Sequence, residues 1–156
     1  VRELSERADI NRGTFYIHYR DVSDLLQHLE DEMAERLITV CRKYAYTDTA
    51  VEAFPYLTEL YRFAQENADL CQVLLGPNGD RVYTERICSI LHSYFLRDFV
   101  ARFYSGDRDR LEYFCRFIVS GNLTLTLQWL SSGTKETPEE MAPLAGGIIM
   151  DGVRAL

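Results

Sequence analysis

A chain of 156 residues, 47% of them hydrophobic, has room for one core of ordinary size or for a small appendage on a larger body, and disorder is not expected. The longest apolar runs, "FIV" and "GGIIM", fall far short of the roughly 20 residues a membrane span needs, and no charged-then-apolar leader is expected. Four widely spaced cysteines, at 41, 71, 88 and 115, argue against a disulfide framework, so a soluble protein of the reducing cytoplasm is expected, and its formal net charge is −7.

Two short helices are predicted first, Val1 to Ala8 and Arg12 to about Tyr19, separated by a break at "DIN". A long amphipathic helix follows from Val22, N-capped by Asp21. Its apolar positions Leu25, Leu26, Leu29, Met33, Leu37, Val40, Cys41 and Tyr44 recur at three- and four-residue steps. After "YTDT" a helix is predicted from about Pro55 to Glu66, and a short one from Ala68 to Leu75. "GPNGD" at 76–80 then interrupts the pattern. Tyr83, Ile87, Leu91, Tyr94, Phe95, Phe99 and Phe103 mark another long helix closed by Gly106. Asp107 opens one that runs to Gly133. "TPEE", Thr137 to Glu140, combines a Thr cap, Pro in the first turn and Glu three residues on, and starts a last helix that runs nearly to Leu156. The expected fold is all-α, with a region at 1–44 that carries the first helices and a connecting helix, and a helical domain at 45–156.

The opening pair behaves differently from the acidic body. Residues 1–20 hold Arg2, Arg7, Arg12 and Arg20 against Glu3, Glu6 and Asp9, a slight positive excess. Two short helices with a three- to four-residue turn are the helix-turn-helix pattern, whose second helix enters the major groove of DNA. Asn11 is a suitable N-cap, and Gly13 permits close approach of backbone to duplex. Arg12 can offer a bidentate fork to guanine, while Thr14 and Tyr16 carry hydroxyls suited to phosphate oxygens. Screening at physiological salt limits the influence of distant acidic residues.

The stretch "VRELSERADINRGTFYIHYRDVSDLL", above all its "TFYIHYRD" core, resembles the helix-turn-helix of the TetR family of bacterial transcription regulators. The resemblance implies an all-helical homodimer with an N-terminal three-helix DNA-binding domain and a larger domain that binds a small-molecule effector and supplies the dimer interface. It places the first helix of the DNA-binding domain upstream of Val1. By position it implies base reading by Arg2 and Arg12, a recognition helix that starts at Gly13 and Thr14, and a backbone contact from Tyr16, with His18 and Tyr19 packed inside. Where the family commonly has Lys, this chain has Val22, and Arg20 is the available substitute.

Other candidates follow from the body. The expected effector pocket mixes apolar and polar side chains: Tyr61, Leu91, Tyr94, Phe95, Phe117, Asn122 and Gln128. Each Gly in a helix interior costs about 1 kcal/mol against Ala, so Gly121, Gly146, Gly147 and Gly152 imply close helix approach. With Leu125, Trp129, Met141, Leu144 and Ile148 they define an expected two-fold interface; tight packing within one subunit is the alternative. Cys88 and His92 stand four apart without a second ligand pair, and a buried thiol beside a core histidine is expected rather than a metal site. His28, near Asp24 and Glu32, is read as solvated. With no nucleophile elbow, phosphate-binding Gly loop or paired-acid motif, neither an enzyme nor a cofactor is expected. The leading expectation is a regulator, a repressor by family habit, that binds a pseudo-palindromic double-stranded operator and answers to an effector. A helical protein-interaction module of the same ancestry is the alternative.

Overall fold

Helices supply every regular element in the computed structural model, which describes residues 1–45, 53–95, 104 and 106–156. Eight occur among these residues: α1 (Arg2–Arg7), α2 (Arg12–His18), α3 (Val22–Ala45), α4 (Ala53–Glu66), α5 (Ala68–Leu75), α6 (Arg81–Tyr94), α7 (Arg108–Ser131) and α8 (Pro138–Ala155). The all-α expectation is met. The helix expected to run on through Phe99 and Phe103 is described only as far as Tyr94 and Phe95; Phe99, Phe103 and "YTDT" lie outside the described residues.

Local chemistry fixes the helix starts. Asn11, Asp80 and Asp107 each accept, through the side-chain oxygen, the N–H two residues on, at 2.8 Å, and Asp21 accepts that of Asp24 at 2.9 Å. Thr137 and Glu140 form a reciprocal capping box: Thr137 Oγ1 accepts the Glu140 N–H and Glu140 Oε2 accepts the Thr137 N–H. Each such cap stabilises its helix by about 1 kcal/mol. α7 stops because Gly133 turns left-handed at φ 86°. The N–H of Gly133 then reaches Leu130 O and that of Thr134 reaches Trp129 O, so two terminal carbonyls are satisfied in a Schellman arrangement.

The chain forms two compact units, Val1–Arg36 and Leu37–Leu156, so the first ends inside α3, somewhat before the boundary at 44 read from the sequence. In the first unit α1 and α2 meet through a tight turn in which Asp9 takes a left-handed φ of 52°, a conformation that Asp tolerates better than most residues. Ser5 and Phe15 are buried there, and Tyr19 packs its ring on Phe15 and His28, at 5.6 and 5.4 Å between centroids.

In the second unit α4 lies along α8, α6 and α5 rest on α7, and α4 also touches α7. Tyr61 and Trp129 cross edge to face at 5.5 Å in the middle, and Trp129 Nε1 donates to Glu136 O at 3.0 Å, which ties α7 to the approach of α8. Leu57, Leu74, Ile87, Cys115, Ile118, Met141, Ala145 and Ile149 fill the space around them. All four cysteines are thiols. Burial pushes Cys71 and Cys115 up to about 11, for Cys115 with help from Glu112, so both are neutral packing groups.

Candidate functional site

Three surfaces carry the sequence-derived candidates. The first is α2 with its approach. The Asn11 cap aligns the first turn of α2, and the burial of Phe15 turns the opposite face outward. Arg12, Gly13, Thr14 and Tyr16 are all exposed on the same short helix, with Tyr16 58% accessible. Arg2 is exposed on α1, and its Nε meets Glu6 Oε1 at 2.9 Å. Arg12 Nη2 approaches the same oxygen at 3.8 Å. Glu6 therefore gathers both arginines on one carboxylate.

Arg20 is held by Asp24, which accepts from its backbone N–H and from Nη2, both at 2.9 Å. The hydrogen bonds from Arg20 keep the Asp24 carboxyl below its usual range. His18, expected inside, is exposed. Tyr19 alone of that pair turns inward, because Phe15 and His28 offer it a ring-lined seat on one side only. His28 is exposed as expected and its Nδ1 lies 2.7 Å from Asp24 O. Ile17, which the sequence reading passed over, is 78% exposed next to Tyr16.

The second surface is a partly enclosed space in the helical body. A cavity of about 70 Å³ lies among α3, α4, α5, α6 and α7; Leu37, Tyr61, Cys71, Ile87, Leu91 and Asn122 are in its wall. Tyr61 Oη donates to Asn122 Oδ1 at 2.6 Å, and Thr126 hydrogen-bonds back to Asn122 O at 2.8 Å. Burial raises the Tyr61 hydroxyl to about 12, with the nearby Thr126 side chain opposing the shift, so the phenol stays a neutral donor. Of the expected pocket residues, Tyr61, Leu91 and Asn122 meet here. Phe95 lines an adjoining recess of about 30 Å³ with Tyr56, Ile118 and Ile149.

Tyr94 is half-buried away from the cavity, its hydroxyl accepting from Arg42 Nε at 3.2 Å, and Gln128 faces an open cleft of about 420 Å³ between α5 and α7. Phe117 is 72% exposed and belongs to the outer face of α7. Periodicity could not separate these cases, since helix α7 is apolar on more than one side. Leu37, Cys71 and Thr126 were missed for the same reason: each sits at an ordinary core spacing.

The third surface is the outer face of α7 and α8. Tyr113, Phe117, Leu144 and Ile148 are each more than half exposed. A β-carbon built on Gly121 or on Gly147 meets no atom within 4 Å, so neither glycine serves packing inside the subunit. Leu125 is half-buried. Trp129 and Met141, expected on this face, are each 3% exposed and belong to the subunit's own core. A β-carbon on Gly152 falls 2.5 Å from Phe114 Cε2, so that glycine makes room for a ring of the same chain. Tyr113 was legible in principle, standing four residues before Phe117 and eight before Gly121.

His92 Nε2 lies 3.3 Å from Glu112 Oε2, and Arg116 Nε meets the other oxygen of Glu112 at 2.9 Å, which links α6 to α7. Cys88 is half-buried; among the described residues no group of three or more His, Cys, Asp or Glu is placed to hold a metal ion. No helix among them is long and apolar enough to cross a membrane.

The described residues thus comprise a short, exposed, arginine-bearing helix pair followed in the chain by an all-helical body. The chain belongs to the TetR family: residues 52–151 match a TetR-type family model described as a transcriptional regulator C-terminal region. Neither a curated protein nor a solved structure matches it.

Proposed function

We propose that the protein is a cytoplasmic DNA-binding repressor that grips a pseudo-palindromic operator as a homodimer and is released by a small uncharged effector. The observation that carries the reading is the joint exposure of Arg12, Gly13, Thr14 and Tyr16 on one short helix whose start is fixed by the Asn11 cap. Arg12 offers a fork to a base edge, Tyr16 and Thr14 offer hydroxyls to phosphates, and Arg2 and Arg20 flank them. Binding requires Arg2 and Arg12 to leave Glu6, an exchange between exposed groups that costs little in water.

Dimerisation is supported by the outer face of α7 and α8. Two helix-interior glycines with empty space over them, flanked by exposed Tyr113, Phe117, Leu144 and Ile148, suit a second backbone at close range. A four-helix contact of two such pairs would be two-fold, and the operator would share the dyad. Effector control is supported by the cavity and by α3, which runs without a break from Asp24, the partner of Arg20, to Leu37 in the cavity wall. A ligand that moves Leu37 acts on the helix that leads back to the DNA-contacting pair.

The test is operator selection from genomic fragments, followed by binding of Arg12→Ala and Tyr16→Phe variants. Arg12→Ala should weaken the selected site by about 1 to 3 kcal/mol and relax one base position in each half-site, while Tyr16→Phe should weaken all sequences alike. A second reading, a protein-interaction module that no longer binds DNA, is favoured by Ile17, by exposed Val22 and by the pairing of Arg2, Arg12 and Arg20 with acids. Salt separates the two. Specific DNA binding should fall steeply with salt, whereas apolar partner binding through Ile17 and Val22 should not.

A further inference from the structure

The cleft, the cavity and the recess share walls. Leu75 and Leu127 border both the cleft and the cavity, and Leu60, Leu91 and Asn122 border both the cavity and the recess. We propose that they form one binding site for an uncharged amphipathic molecule of the acyl-amide type, whose polar head sits at Gln72 and Gln128 while its apolar chain passes between Leu75 and Leu127 toward Tyr61 and Asn122. The proposal rests on the effector-controlled reading above and names the chemical class of the effector.

Charge is the first argument. A quarter of the chain is charged, 26%, yet no Asp, Glu, Lys or Arg lines any of the three spaces among the described residues. An ionised ligand would lose its water there and meet no counter-charge, which selects against it strongly. The two titratable groups in the cavity wall, Tyr61 and Cys71, are neutral by burial and supply no hidden charge.

The polarity gradient is the second. The cleft offers the side-chain amide of Gln128, the amide oxygen of Gln72, whose Nε2 donates to Leu130 O, and the hydroxyl oxygens of Thr124 and Ser131, whose protons go to Ser120 O and Gln128 O; these oxygens can accept from an amide N–H or a hydroxyl head. Inside, the wall turns to Leu, Ile and Phe; among the described residues the polar side chains there are the Tyr61–Asn122–Thr126 set and the Cys71 thiol in the cavity and Tyr56 in the recess, whose hydroxyl donates to Cys41 Sγ. Asn122 uses Oδ1 for Tyr61, which leaves its amide N–H groups for an acceptor oxygen on the chain. Neither space alone suits such a ligand: the cavity is smaller than a usual site of about 300–1,000 Å³, and the cleft is open. Rotation of the half-buried Leu75 and Leu127 would join them and bring the whole into that range.

Trp129 is the chain's single tryptophan and packs edge-on against Tyr61, so its fluorescence reports on the inner end of the site. The experiment titrates the protein, without DNA, with N-decanoylethanolamine, with sodium decanoate (the same chain with a charged head) and with N-acetylethanolamine (the same head without the chain). Trp129 emission and calorimetry are followed together. The amide is expected to bind saturably and to shift Trp129 emission, with both controls at least about tenfold weaker. Leu127→Phe should obstruct the passage and weaken the amide by about tenfold, with the helical circular-dichroism signal unchanged. Gln128→Lys changes an exposed residue that the fold does not need, and should strengthen decanoate by about tenfold by giving its carboxylate a partner. Decanoate equal to the amide in the parent, no saturable binding of the amide, or a Gln128→Lys variant with unaltered preference would each overturn the assignment. No DNA enters these measurements, so a failure of operator binding leaves their outcome intact, and the reverse also holds.

Discussion

Gly147→Ala separates the two explanations for the glycines of the closing helices, because they give opposite signs. In the isolated subunit an alanine β-carbon at 147 meets nothing within 4 Å, and the change removes the backbone-entropy penalty of glycine in a helix interior. Subunit stability should therefore rise by about 0.5 to 1 kcal/mol. In a two-fold interface the same methyl enters the contact from both subunits. Overpacking there costs on the order of 1 to 3 kcal/mol per site, which raises the dimer dissociation constant by at least about tenfold.

Gly152→Ala is the internal control, since its β-carbon lands on the Phe114 ring; it should be less stable than Gly147→Ala without a specific effect on association. Sedimentation across a concentration series gives the association constant, and urea unfolding at a concentration where subunits are separate gives stability. A Gly147→Ala protein that associates as tightly as the parent, or a parent that is monomeric at micromolar concentration, would falsify the interface.

Glu6→Gln should tighten DNA binding roughly twofold to fivefold at low salt by freeing Arg2 and Arg12, an effect that fades as salt rises in filter or anisotropy titrations. Thr137→Ala should cost about 1 kcal/mol by opening the capping box of α8, readable as a lower urea midpoint with an unchanged slope. Trp129→Phe removes the bond to Glu136 O and part of the edge contact with Tyr61, and should cost about 1 to 3 kcal/mol in the same assay.

Alkali should destabilise the second unit from about pH 9. Cys71 and Tyr61 have pKa values raised to about 11 and about 12, above their ordinary 9.0 and 10.0, so between those limits the unfolded chain ionises first. Stability is full below the lower values and is lost as pH climbs through the window; Tyr61→Phe should remove the Tyr61 share, lost between about pH 10 and about 12, and leave the Cys71 share between about 9 and about 11, and unchanged alkaline unfolding in that variant would contradict the burial of Tyr61.

Much of the scaffold was written locally. Asn11, Asp21, Asp80, Asp107 and the Thr137–Glu140 pair each act on N–H groups two or three residues away, so helix starts could be read without knowledge of the fold. The all-α class followed from periodicity, whereas the inward turn of Phe15 on α2 and the exposure of His18 emerged only from packing. What periodicity cannot state is which of two apolar sides faces the subunit core. α7 carries Trp129 and Ile118 inward, Phe117 and Tyr113 outward and Asn122 into a cavity, and only the packing of α4, α5, α6 and α8 around it assigns those directions. The glycines divide in the same way: Gly152 is taken up by Phe114 and Gly147 is left open. Whether a missing side chain makes room for a neighbour or for empty space depends on residues distant in sequence, and that is settled only when the helices meet.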